Sequence, residues 1–221
     1  MLKFNGTVNF GVCQGILKDS VFEQNESIVK INLKIKDERV NPKTGRKPTY
    51  VLNFIASGEV AKRMKNECKM NDQILIIYHI EKRFRFDVRT GIGRYETQLT
   101  VNDFAVHTID KITHAANINK GYYQGLFLDI IKIPKATGIY SLSVMSDGDE
   151  HSKRQHIDFV VYGTLGEKIA KEFDKVSGKT AIFDDGSGVA VFYENCLVIP
   201  TGDAELKRIQ VNLSIKEWSV N

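Results

Sequence analysis

A chain of 221 residues, 42% hydrophobic and 26% charged, can bury two modest cores and is not a disordered tail. Its formal net charge of +4 is unevenly placed: residues 1–115 carry 19 Lys and Arg against 13 Asp and Glu, whereas residues 116–221 carry 12 against 14. Any polyanion should therefore meet the first half. Cys13, Cys68 and Cys196 are odd in number and never form a Cys-x-x-Cys pair, which argues against a disulfide framework or a zinc site and leaves buried thiols as the expectation. No apolar run approaches a bilayer span or a signal peptide, so a soluble, cytoplasmic protein with no membrane partner is expected.

In chain order, strands are expected near 8–19, 27–36 and 49–56, a helix near 59–68, and strands near 73–86 and 93–107. Residues 108–120 are polar and weakly patterned, and read as a linker at 110–119. The order then recurs, with strands near 121–132, 138–146 and 155–162, a helix near 164–175, and strands near 179–183, 189–199 and 207–218. Short motifs mark the recurrence: Gln14-Gly15-x-x-x-Asp19 returns as Gln124-Gly125-x-x-x-Asp129, and Asn53-Phe54 before Gly58 returns as Asp158-Phe159 before Gly163. A spacing of about 110 residues is too long for a solenoid repeat and suits two small domains. Five strands with one helix between the third and fourth is the layout of an OB-fold, so the expectation is an all-β protein of two tandem five-stranded Greek-key barrels. The first would span 1–109 and the second 120–221.

A barrel carries no function of its own, so the loops decide. The segment Lys82-Arg83-Phe84-Arg85-Phe86-Asp87-Val88-Arg89-Thr90-Gly91-Ile92-Gly93-Arg94-Tyr95 reads as a hairpin with four Arg, one Lys and three aromatics. Cations spaced along an arm neutralise phosphates, and rings between them offer faces on which bases stack whatever the sequence. Phe84 and Phe86 also share the parity of Ile74, Ile76, Tyr78 and Ile80, so extension of a core face is the competing reading. A second basic segment, with Arg39, Lys43, Arg46 and Lys47 and ending in Tyr50, links strands two and three and could close a clamp. In the second module Lys153 and Arg154 follow the acidic run Asp147-Gly-Asp-Glu150, and Asp184-Asp185-Gly186 makes the strand-four turn acidic. That module is expected to be a weaker DNA subsite or an oligomerisation module.

The run Phe86-x-x-x-x-Gly91-x-x-Arg94-Tyr95-x-Thr97-x-Leu99-x-Val101 resembles the fourth and fifth strands of bacterial-type single-stranded DNA-binding proteins. In that family the hairpin aromatic stacks on a base, and the resemblance gives this role to Phe86. Tyr162-Gly163-Thr164-Leu165 resembles the family's step from strand three into the helix, whose aromatic also stacks. Gly58-Glu-Val60-Ala61 resembles the same step in the first module, but Ser57 replaces the aromatic, leaving Tyr50 and Phe54 as substitutes. The family's chain ends in a Gly/Pro-rich linker and an acidic tip, whereas this one closes on Ile215-Lys-Glu-Trp218-Ser-Val-Asn221, so recruitment through such a tip is not expected. Most members carry one barrel and assemble four, which implies a homo-oligomer, a dimer, for a two-barrel chain.

The expected stacking residues are thus Phe86, Phe84, Tyr50, Phe54, Tyr95 and Tyr162. The expected phosphate contacts are Arg39, Lys43, Arg46, Lys47, Lys82, Arg83, Arg85, Arg89, Arg94, Lys153 and Arg154. Catalysis is not expected. Ser177-Gly178-Lys179-Thr180 has the tail of a phosphate loop but Phe173 where a Gly belongs, the five histidines lack metal spacing, and no nucleophile, base and orienting group come together. No cofactor, metal or small-molecule substrate is called for. The partner expected is single-stranded DNA, with single-stranded RNA a second admissible one, in replication, recombination or transfer of a plasmid or phage genome. The alternative is a protein–protein adaptor whose basic hairpin engages an acidic partner.

Overall fold

The structure, a computed structural model, describes residues 7–23, 27–36, 45, 47, 49–107, 118–134, 137–146, 155–177, 188–198 and 210–220. The chain is mostly β-sheet with two helices. Its elements are β1 (Val8–Glu23), β2 (Ile28–Lys36), β3 (Thr49–Ser57), α1 (Gly58–Glu67), β4 (Gln73–Asp87), β5 (Ile92–His107), β6 (Asn119–Lys132), β7 (Ile139–Met145), β8 (His156–Tyr162), α2 (Gly163–Ser177), β9 (Gly188–Val198) and β10 (Gln210–Val220). Contacts gather them into two compact units, Phe10–Lys120 and Gly121–Asn221, the segment Met1–Asn9 grouping with the second. The expected linker at 110–119 lies outside the described residues except for Ile118 and Asn119, and the expected strand at 179–183 lies wholly outside them.

In the first unit β1 pairs antiparallel with both β2 and β4, β2 pairs with β3, β4 pairs with β5, and β3 meets β5 in parallel. The second unit has the same circuit: β6 with β7 and β9, β7 with β8, β9 with β10, and β8 parallel to β10. A circuit that returns to its first strand leaves few open sheet edges. Period-two patterning supplies each core. Val29, Ile31, Leu33 and Ile35 of β2, Leu52, Phe54 and Ala56 of β3, and Ile74, Ile76, Tyr78 and Ile80 of β4 are buried. Ala61 and Met64 of α1 join them, with α1 packed against β2, β3 and β5.

Phe54 corrects one expectation. It is 0% exposed and packs edge-on to Tyr78 with ring centroids 5.3 Å apart, so it has no face to offer a base. Its counterpart Phe159 is likewise buried, between Tyr123 and Tyr193. Cys13 is buried and its thiol pKa is driven up by desolvation, whereas Cys68 is only half-buried, its pKa raised to about 11 by burial and then by Asp72 and Glu67.

The repeated sequence motif has a packing cause. Gly11 lies opposite Tyr78 in register and Gly121 opposite Tyr193. A Cβ at Gly11 would stand 2.1 Å from Tyr78 Cζ, and one at Gly121 would stand 2.0 Å from Tyr193 Cζ. Each tyrosine ring therefore lies across a bare stretch of backbone. Four residues on, Gly15 and Gly125 press against the carbonyls of Lys34 and Met145, and the register shifts at Leu17/Asp19 and again at Phe127/Asp129. Such bulges bend a strand so that it can serve two neighbours. Gly11→Ala should cost roughly 1–3 kcal/mol by overpacking against a ring that has nowhere to go. Urea unfolding checks this, and an unshifted curve would mean that Tyr78 swings aside freely.

Candidate nucleic-acid interface

The described pairing of β4 with β1 ends at Tyr78, and that of β5 with β3 covers only Leu99 and Thr100. The two strands nevertheless continue together through Asp87 and Ile92, so residues 82–87 and 92–97 form a two-stranded ribbon of roughly 20 Å at about 3.3 Å per residue. Ile80 and Leu99, paired in register, are the last fully buried pair. Asp87 closes the tip: its carboxylate accepts from Arg89 N–H at 3.0 Å and its carbonyl from Gly91 N–H at 2.8 Å.

Side chains that alternate inward along the closed circuit of strands emerge into the open along this ribbon. Phe84 is 58% exposed, Phe86 59% and Tyr95 68%. Register places Phe84 opposite Tyr95 and Phe86 opposite Gly93, so the three rings occupy one face. Phe84 and Tyr95 meet edge to face at 5.3 Å, and the Phe84 ring covers Gly93, where an added Cβ would lie 2.3 Å from Phe84 Cζ. Val88 and Ile92 are also exposed near the tip. Aromatic rings left open on a narrow ribbon are costly in water and mark a contact surface.

The cations largely take the other parity. Arg83 shares a face with Glu81, whose Oε1 accepts from Arg83 Nε at 3.0 Å, from Gln98 Nε2 at 2.8 Å and from the Thr100 hydroxyl. Gln98 and Thr100 are buried, so the root of this face is a fixed polar cluster. Further out, register sets Arg85 directly opposite Arg94. Lys82, half-buried, shares the parity of the rings instead, and Arg89 is exposed at the tip. Arg63 of α1 is committed elsewhere, pairing with Asp103 at 3.0 Å and lying 4.8 Å over the Phe104 ring. The Phe104 N–H, followed by Arg63, holds the Asp103 carboxyl below its ordinary pKa.

The remaining expected residues are scattered. Lys47 is exposed, and Tyr50, at the start of β3, is half-buried with its hydroxyl accepting from Asn119 Nδ2 at 2.6 Å. Arg39, Lys43, Arg46, Lys153 and Arg154, and with them the basic loop of the expected clamp, lie outside the described residues, as do the acidic runs at 147–150 and 184–187. Tyr162, at the end of β8, is 42% exposed beside Gly163, whose φ of +61° matches the +59° of Gly58. Tyr123 and Tyr140 are buried and belong to the core. Sequence reading passed over Phe192, which is 48% exposed and packs against Tyr122 at 5.0 Å. The signal was present, since Phe192 alternates with the buried Val191 and Tyr193. Among the described residues no group of three or more His, Cys, Asp or Glu gathers to hold a metal, and no helix is long and apolar enough to cross a membrane.

No family model matches the chain, and no curated protein matches it. Among solved structures it is similar to the wild-type single-stranded DNA-binding protein from Thermus aquaticus, with a TM-score of 0.68 over 98% of this chain and 94% of that one at 12% identity. A deletion mutant of that Thermus aquaticus protein gives a TM-score of 0.67 over 98% and 95% of the two chains at 13% identity. At such identities the likeness is one of fold.

Proposed function

We propose that this protein binds single-stranded DNA without sequence preference and without catalysing a reaction. Bases stack on Phe84, Phe86 and Tyr95, and Lys82, Arg83, Arg85, Arg89 and Arg94 hold the phosphates. The observation that carries this reading is the ribbon itself: three rings more than half exposed on one face, amid five cations, beyond the last buried pair of β4 and β5. Stacking tolerates any base, and the cations supply a sequence-independent electrostatic grip. The fold shared with a single-stranded DNA-binding protein supports it.

Both units are read as OB-fold barrels, the first with Tyr50, Lys47, Arg39, Lys43 and Arg46 as further contacts to the strand. The second is a weaker subsite around Tyr162, Lys153 and Arg154, or an oligomerisation module of a dimer. The setting proposed is protection of transient single strands in the cytoplasm during replication, recombination or transfer of DNA. Titrating oligo-dT, oligo-dA and a duplex at several salt concentrations tests the proposal. Both single strands should bind, the duplex weakly, with log affinity falling steeply against log salt. Failure to bind either single strand would leave the basic arm to an acidic protein partner.

A further inference from the structure

Gly93 has no backbone reason to be glycine. Gly91, in the turn at the tip, takes a φ of +68° that favours glycine, whereas Gly93 lies inside β5 opposite Phe86 and takes no positive φ. Glycine inside a strand weakens it, both by the chain entropy lost on folding and for want of a side chain to pack. A glycine in such a place marks a close approach.

The approaching group is the Phe84 ring. A Cβ at position 93 would stand 2.3 Å from Phe84 Cζ, 2.8 Å from Cε2 and 3.4 Å from Cε1, so the far end of the ring fills the space of the missing side chain. Tyr95, directly opposite Phe84 in register, meets the same ring edge to face at 5.3 Å, with 63° between the planes. Bare backbone at its tip and Tyr95 at its side thus hold Phe84 in one pose while the residue stays 58% exposed. An exposed side chain without such supports samples several rotamers and loses that freedom when a ligand orders it.

The core uses the same device, with Tyr78 across Gly11 and Tyr193 across Gly121. Those rings are buried, so an added methyl overpacks them and costs stability. Over Gly93 the ring is bounded by water and can swing outward, so an added methyl costs the pose and not the fold.

We propose that Gly93 is a positioning residue of the arm: its missing side chain sets Phe84 in place before DNA arrives, so that the ring presents a ready face to a base. This rests on the single-strand binding proposed above. Gly93 then acts on affinity through Phe84 alone.

The test is a double-mutant cycle in the full chain, read with labelled oligo-dT at fixed salt. Gly93→Ala should weaken binding about 3- to 10-fold, the cost of ordering one side chain on binding. Its melting temperature should hold or rise, because alanine loses less chain entropy in a strand than glycine does. In the Phe84→Ala background the same change at position 93 should have no effect on affinity. An equal loss in both backgrounds would overturn the inference by giving Gly93 a contact of its own with the strand. No loss in either would overturn it by making the pose irrelevant, and early melting of Gly93→Ala would overturn it by denying the ring its outward path. Without DNA, nuclear Overhauser contacts between Gly93 Hα and the Phe84 ring protons report the pose itself; they are expected in the parent, and their absence would also overturn the inference. If they are seen and the parent binds no oligo-dT, it is the single-strand reading that has failed, and the inference with it, although the pose stands.

Discussion

Phe86→Ala should weaken oligo-dT binding by about 1–3 kcal/mol, the usual worth of one base stacked on an aromatic side chain. The ring is more than half exposed, lies beyond the last buried pair of β4 and β5 and faces Gly93 across the ribbon, so removing it opens no cavity. Binding and stability therefore separate: fluorescence anisotropy at fixed salt should show a loss of roughly 5- to 150-fold, while the melting temperature stays where it was. Phe84→Ala should behave similarly, with an added loss from Tyr95, whose ring rests edge-on against it. Unchanged affinity in Phe86→Ala would make that ring an idle surface group.

Phe54→Ala should do the reverse. A phenylalanine with no exposed surface, touching Tyr78 and opposite Leu99 in the parallel pair of β3 and β5, sits where the circuit of the first unit closes. Truncation removes transfer free energy and leaves a cavity, together about 3–5 kcal/mol. Denaturant unfolding of the full chain should show a transition weakened by that amount. At temperatures where the variant remains folded, its affinity for oligo-dT should stay close to that of the parent. A variant that kept full stability but lost binding would mean that the ring serves DNA after all.

These two phenylalanines also show what the sequence could carry. Their parities are both readable: Phe54 shares the parity of Leu52 and Ala56, which marks it as inward, whereas only the resemblance at Ser57 points it toward a base. Phe84 and Phe86 share the parity of the core residues Ile74 to Ile80, and nothing local in the sequence says where the buried part of β4 stops. Only pairing partners decide it, because β4 leaves β1 after Tyr78 while keeping β5 to the tip. Among the described residues the strands themselves were legible from alternation and turn residues, apart from the end of β1. The polar break at Asp19 reads as a terminus, but there the register slips by one residue and pairing resumes through Glu23.

Photo-crosslinking tests the central claim most directly. A single-stranded oligonucleotide carrying 5-iodouracil is irradiated with the full chain, and the modified peptide is mapped by mass spectrometry. Stacked rings react preferentially, so the account predicts adducts at Phe84, Phe86 or Tyr95, lost when duplex replaces single strand. Adducts confined to residues outside 82–95, with the ribbon unmodified at saturating protein, would contradict it.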